Sequence, residues 1–257
     1  MPPSYAHVVT ALRSAGCVFA EDEARLILST ARTPAELTVM VDRRVAGLPL
    51  EHVLGWAEFR GLRIAVEPGV FVPRRRTEFL VEQAVALAPE ATVVVDLCCG
   101  SGAVGAALAA ALPGVELHAA DVDPAAVRCA RRNVGAGAHV YEGDLFEALP
   151  RALRGRVGIL AANVPYVPSG EVGLLPPEAR DHEPLVALDG GGDGLDVLRR
   201  VAGEAPRWLA PGGSLLVETS ERQAGLAVEI LADAGLIPRL KVSEELYANV
   251  VIGLKGS

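Results

Sequence analysis

Apolar and polar positions change rhythm twice along this chain. From Tyr5 to about Gly47 apolar residues recur at helical spacing: Val8, Val9 and Leu12 share one face, and Ala24, Leu26, Ile27 and Leu28 another. Thr33-Pro34 has the cap and first-turn residues that open a further helix. Between Trp56 and Val72 the rhythm becomes alternation through Phe59, Leu62, Ile64 and Val66, broken at Gly61 and Pro68-Gly69, which predicts a β-hairpin. From Thr77 onward helices alternate with short β-rich runs. Helices are predicted over Glu78 to Leu87, Ala103 to Leu112, Pro124 to Val134 and Leu195 to Leu209. Strands are predicted over Thr92 to Leu97, Val115 to Ala120, His139 to Tyr141, Val157 to Ala162 and Ser214 to Glu218. A last pair, Pro238 to Val242 and Val250 to Leu254, closes the sheet as a hairpin. Such alternation builds an α/β fold with a mostly parallel sheet. The predicted organisation is a helical unit over 1–55, a linking hairpin over 56–76 and an α/β domain over 77–257.

Composition narrows the class. The chain has 257 residues, 51% of them hydrophobic, enough to bury a sizeable core. With 24 basic against 32 acidic side chains the formal charge is −8, so no global basic field draws in nucleic-acid phosphates. Met1 to Ala20 carries His7 and Arg13 among its apolar positions and does not read as a secretory leader. Gly102 to Val115 is broken by Pro113 and is too short to span a bilayer. A cytoplasmic monomer without a membrane partner is expected. Cys17, Cys98, Cys99 and Cys129 lack paired metal-ligand spacing, so no structural metal is expected and reduced thiols are.

The first β-rich run of the α/β part ends in Asp96-Leu97-Cys98-Cys99-Gly100-Ser101-Gly102 and passes straight into a helix. Gly100 and Gly102 lack a Cβ, so the loop can turn tightly and present backbone N–H groups to a polar ligand. Gly100 to Gly105 also satisfies G-x-G-x-x-G, with Asp121 placed 19 residues beyond Gly102, as in dinucleotide folds. Asp121 ends the second predicted strand, at the edge where open α/β folds bind ligands, and a ribose diol suits its carboxylate. Asp123-Pro124 reads as a helix cap. Asp144 suits either an adenine amino group, with Leu145 packed on the ring, or a loop cap.

The fourth strand decides between cofactors. It runs into Asn163-Val164-Pro165-Tyr166, which has no evident role in dinucleotide binding. A planar amide nitrogen is a poor nucleophile because its lone pair is delocalised into the carbonyl, so its methylation needs two acceptors that orient both N–H groups. The Asn163 side-chain oxygen and the Val164 carbonyl, turned by Pro165, supply them, and Tyr166 can stack on the plane. Placement of two reactants in this way contributes roughly 7 to 11 kcal/mol.

These residues resemble the release-factor glutamine methyltransferase family, whose mark is N-P-P-Y on a class I, Rossmann-like methyltransferase fold behind a small helical domain. The resemblance spans nearly the whole chain: Gly47 to Gly55, Phe71-Val72-Pro73-Arg74 with Thr77-Glu78, the Asp96 to Gly102 loop, Asn163 to Tyr166, and His182-Glu183-Pro184 before Ala187-Leu188. It implies a seven-stranded sheet and S-adenosyl-L-methionine as cofactor. Cys98, Cys99, Gly100, Ser101, Gly102, Asp121, Leu145 and Asn163 are implied as its contacts, alongside Asp144 from the reading above. It also implies that Asn163, Val164, Pro165 and Tyr166 hold a glutamine amide, from the Gly-Gly-Gln loop of a peptide-chain release factor docked with help from the helical domain. The chain departs from the pattern at three places. Val164 stands for the first proline of N-P-P-Y, Cys98-Cys99 for Gly-Thr or Gly-Cys, and Arg74-Arg75-Arg76 for Arg-Pro-Asp. The arginine run reads equally as a retuned partner site or a solvated basic stretch. Methylation of another amide, of a flipped adenine, nicotinamide chemistry, and cofactor binding without turnover remain open at this level.

Overall fold

Ser4 starts the first helix by accepting the His7 N–H on its hydroxyl at 3.3 Å. The computed structural model describes residues 4–88 and 92–256. Helices α1 (Tyr5–Ser14), α2 (Ala20–Thr30), α3 (Pro34–Val45) and the short α4 (Leu50–Leu54) gather around Val8, Leu12, Ala24, Ile27, Leu37 and Met40. The Thr33 hydroxyl caps α3, taking the Glu36 N–H at 3.1 Å, with Pro34 in the first turn as its sequence predicts. Arg44, at the end of α3, is buried in this cluster. Its Nε donates to Glu23 Oε2 at 2.6 Å and its Nη2 to Oε1 at 3.2 Å.

Strands β1 (Trp56–Phe59) and β2 (Leu62–Ala65) form the predicted antiparallel hairpin. Its turn places Arg60 and Gly61 at φ of 49° and 72°, the left-handed pair that matches hairpin twist. The rest alternates helices and strands: α5 (Glu78–Leu87), β3 (Val93–Leu97), α6 (Ala103–Ala111), β4 (Glu116–Asp121), α7 (Pro124–Asn133), β5 (His139–Glu142), β6 (Val157–Ala162), α8 (Pro177–His182), α9 (Asp196–Trp208), β7 (Leu209–Thr219), α10 (Ala224–Asp233), β8 (Ile237–Ser243) and β9 (Ala248–Leu254). The strands form one sheet of seven in the order β5-β4-β3-β6-β7-β9-β8. Its first five are parallel, and β9 and β8 run antiparallel at the edge. The central strands are buried on both faces. Val94, Ile159, Leu216 and Ile252 pack under α5, α6 and the hairpin; Val95, Leu160, Leu215 and Val251 pack under α9 and α10.

Three elements differ from the sequence patterns: α8, a six-residue helix with no buried residue to give it an apolar face, α10 and β7. No helix is predicted where α10 lies, because two of its three fully buried positions are alanines (Ala224, Ala227) and Leu226, Val228 and Ile230 are not hidden with them. The pattern therefore has no sharp polar face. Strand β7 begins at Leu209 instead of Ser214, with an irregularity before Ser214 resumes pairing with Ile159. Gly213 sits in that irregularity, where a Cβ would come 2.6 Å from the Val157 carbonyl.

The Arg44 ion pair sets a test of the helical unit. Replacing Arg44 by Ala leaves Glu23 buried without its partner, and unfolding in urea is expected to lose about 3 to 5 kcal/mol. Arg44→Met, which keeps the packing of the stem, should lose less than Arg44→Ala.

Candidate active site

The sheet register lays out the site. Leu97 of β3 pairs with Ala120 of β4 on one side and Ala162 of β6 on the other, and Ala162 pairs with Val217 of β7. The next residue of each chain segment is Cys98, Asp121, Asn163 and Glu218. Four neighbouring segments thus present these residues in one row at the carboxyl edge. Because β4 lies to one side of β3 and β6 to the other, the loops after β3 and β4 diverge from the loop after β6 and leave a crevice.

The loop after β3 is held by carboxylates from two strands. Gly100 N–H donates to Asp121 Oδ2 at 2.8 Å, and Asp123 N–H to Asp121 Oδ1 at 2.9 Å. Asp123 caps α7 by accepting the Ala125 N–H, the role its sequence suggests. Gly105, one turn into α6, donates its N–H to Asp96 Oδ2 at 2.8 Å, and a Cβ there would stand 3.0 Å from that oxygen. Asn133 closes the loop from behind, with Nδ2 donating to the Ser101 and Ala65 carbonyls at 2.8 and 2.9 Å. Burial pushes the Asp96 carboxyl up to about 7; the Asp121 charge adds to the rise and the Gly105 N–H opposes it. Burial raises Asp121 as well. It also raises the Cys98 thiol, with Asp121 and Asp96 adding to the shift, so that sulfur stays protonated.

Beyond β6, Val164 is buried and Tyr166 donates its hydroxyl to Glu218 Oε1 at 2.9 Å. Arg76 Nε donates to the same oxygen at 2.9 Å. The backbone of this segment is clamped by a second glycine run, Asp189-Gly190-Gly191-Gly192-Asp193-Gly194. Gly190 N–H donates to the Val167 carbonyl at 2.8 Å, and a Cβ on Gly190 would stand 2.7 Å from the Pro165 carbonyl. Gln223 Nε2 bridges the Tyr166 and Asp193 carbonyls at 2.9 and 3.0 Å. Two distant motifs of the sequence also meet here. Glu183 accepts the Val72 N–H at 3.0 Å and an Arg74 Nη at 2.6 Å, which joins Phe71 to Arg74 with His182 to Pro184.

These elements surround a cavity of about 520 Å³. Its lining includes Cys98 to Ser101, Asp121, Asp144 and Leu145, Asn163 to Tyr166 with Phe71 and Arg76, and Pro49 and Glu51 of the helical unit. Gly102 packs away from the wall: its Cβ would meet Val134 Cγ1 at 2.9 Å and Ala130 Cα at 3.0 Å. Asp144 lines the cavity while accepting from Arg200 Nη2 at 2.6 Å, a pairing neither reading of the sequence contains. The arginine run is split: Arg74 and Arg76 pair with the buried Glu183 and Glu218, and Arg75 alone is exposed without an ion pair among the described residues. Sequence patterns do not single out Glu218, Gln223 or the second glycine run. A carboxylate ending an apolar strand, the signal used for Asp121, also marks Glu218.

Comparison with known proteins agrees with this architecture. Residues 61–166 match the family model of the methyltransferase small domain. The release factor glutamine methyltransferase of Geobacter sulfurreducens is 40% identical over 226 residues, 86% of this chain and 78% of that protein. The 4-amino-L-phenylalanine/4-methylamino-L-phenylalanine methyltransferase of Streptomyces pristinaespiralis is 39% identical over 191 residues, 71% of this chain and 65% of its own length. A methyltransferase structure from Pyrococcus furiosus shares the fold with a TM-score of 0.58 at 18% identity, over 77% of this chain and 91% of that one.

The close packing of Gly102 is testable against Gly114, which has a similar φ, 78° against 77°, but nothing within 4 Å of the place a Cβ would occupy. Gly114→Ala is expected to cost about 1 kcal/mol through backbone strain. Gly102→Ala adds overpacking against α7 and should cost about 2 to 4 kcal/mol in denaturant unfolding.

Proposed function

The chain belongs to the release factor glutamine methyltransferase family, and on that footing we propose that its cavity brings S-adenosylmethionine and the side-chain amide of a protein glutamine together for methyl transfer. The partner in this reading is a peptide-chain release factor, in the cytoplasm, with the methyl accepted by the glutamine of its Gly-Gly-Gln loop. The observation that carries it is the placement of the Asp121-held glycine loop and the Asn163 to Tyr166 segment on one cavity.

The cavity's acceptors fit an adenosyl group. Asp121 and Asp144 each retain acceptor capacity beyond their internal bonds, since a carboxylate has about four lone-pair sites. Asp121 would take the ribose hydroxyls, Asp144 the adenine amino group with Arg200 holding it in place, and Leu145 would cover the ring. The backbone of Cys98 to Ser101 would face the amino-acid end. When bound, the cofactor supplies an electrophilic methyl group on a positively charged sulfur. Asn163 and the Val164 carbonyl accept the two amide N–H groups, which fixes the plane of the amide and leaves its lone pair facing out of that plane. Tyr166 walls the slot. Val164 serves as well as proline because the working group is its backbone carbonyl, and Pro165 still restrains it.

The reading is tested by mass spectrometry after incubation with deuterated-methyl cofactor and release factor. The label is expected on one glutamine. Label on free 4-amino-L-phenylalanine and none on glutamine would sink it. Asn163→Ala should lower turnover about 100-fold or more through misplacement of the amide, whereas Asp121→Ala should chiefly weaken cofactor binding, about tenfold or more.

A pH dependence follows from Asp96, which lines the cavity with its carboxyl raised to about 7 by burial. Above that pH the carboxylate attracts the sulfonium cation; below it the group is neutral. Affinity for S-adenosylmethionine, measured by calorimetry, should therefore fall as pH drops through about 7. S-adenosylhomocysteine, with an uncharged sulfur, should respond less, and Asp96→Asn should flatten the difference.

A further inference from the structure

Glu218 is buried to 3% exposure at the end of β7, level with Asn163 in the sheet register. One of its oxygens takes two donors, the Tyr166 hydroxyl and Arg76 Nε, both at 2.9 Å. The other, Oε2, is buried with no partner among the described residues. An arrangement that concentrates both donors on one oxygen and leaves the other bare is costly in a buried site. It fixes the phenol ring from its far end. The Arg76 guanidinium also lies 5.8 Å from the ring centroid, while Gln223 holds the Tyr166 carbonyl. The ring is thus anchored at both hydroxyl and backbone.

The chemistry gives this anchoring a purpose. A tyrosine hydroxyl both donates and accepts. Burial raises the Tyr166 hydroxyl pKa, with the Glu218 charge adding to the rise, so it keeps its proton. In a slot where an amide nitrogen must attack, a hydroxyl donating to that nitrogen or to the amide carbonyl would withdraw the electron density that the reaction needs. With its hydrogen committed to Glu218, Tyr166 can present only its ring face and oxygen lone pairs. Arg76 supplies the positive charge that lets Glu218 stay buried in this role.

We propose that Glu218 and Arg76 are positioning residues for methyl transfer: they hold the Tyr166 ring as the wall of the glutamine slot and keep its hydroxyl proton away from the nucleophile. The inference rests on the reading of the site as a glutamine methyltransferase and assigns the arginine at position 76 a task inside the cavity.

A double-mutant cycle tests it. Glu218→Gln and Tyr166→Phe should each lower kcat about tenfold, with KM for the cofactor unchanged, and the double variant should be no slower than either single one. Arg76→Lys should retain part of the activity that Arg76→Ala loses. Additive losses in the double variant, or an unchanged kcat in Glu218→Gln, would overturn the proposal. Should Glu218→Gln fail to fold, the same cycle between Arg76→Ala and Tyr166→Phe decides the matter, since Arg76 is half exposed. A readout independent of substrate keeps the two readings apart. The chain has four tyrosines, so ring-labelled protein gives a Tyr166 signal assignable through Tyr166→Phe. That signal should shift in Glu218→Gln; if it stays in place the contact, and with it the proposal, is wrong. A shifted signal in an enzyme that methylates no glutamine would instead remove the functional reading on which the proposal stands.

Discussion

Everything at the site depends on the parallel register that ends β3, β4, β6 and β7 on one row. Leu97, Ala120, Ala162 and Val217 are paired neighbours, all buried, and the hydrogen-bond ladder leaves no freedom to slide one strand without turning its side chains to the other face. A slip of one residue would exchange Asp121 or Asn163 for a neighbour of opposite orientation. The apolar runs that fill the core are therefore also what aligns the polar residues just beyond them.

Past that row, loop geometry takes over, and glycine is placed where atoms leave no room. The first glycine loop wraps the end of α6 and is tied back to Asp96 and Asp121. The second lies against the carbonyls of Pro165 and Tyr166, where a Cβ on Gly190 or Gly194 would come within 2.7 Å of backbone oxygen. Two residues that line the cavity go against this pattern, Leu145 with φ of 47° and Cys98. Cys98 has φ of 58°, a left-handed conformation that costs a non-glycine residue about 1 to 2 kcal/mol. The family pattern has glycine at that place, and the structure supplies the reason: the backbone demand is retained although the residue has changed. The cysteine's side chain finds its compensation in packing against the core beneath α9.

The sequence discloses local features well and the assembly of distant ones poorly. Strand β6, helix α5 and the cap at Asp123 follow from periodicity and from single residues with one dominant use. Asp121 is legible as a cavity residue because a carboxylate at the end of an apolar parallel strand stands at the carboxyl edge of the sheet. Helix α10 escapes because alanine contributes little contrast between its faces. Asp144 escapes in part because its ion partner, Arg200, lies 56 residues away on α9, and nothing local joins them. The arginine run is the clearest case. Three adjacent positive charges look alike in one dimension, yet the fold sends Arg74 to Glu183 and Arg76 to Glu218 and leaves Arg75 at the surface.

Other long-range contacts tie the helical unit to the segments around the cavity. Arg44 joins Glu23 of α2 to Glu178 of α8 with an Nη1 contact of 2.6 Å, His52 of α4 contacts the Val70 carbonyl at 2.9 Å, and Glu183, just past α8, grips Val72 and Arg74. Each link is made by a side chain that is itself largely buried, so water competes poorly for it. The segment from α8 through Glu183 is short and contributes no core of its own. Its position is therefore set by these polar contacts instead of by packing. The helical unit and the segment that follows it from α8 are thus joined through one arginine, Arg44, whose guanidinium reaches Glu23 on one side and Glu178 on the other.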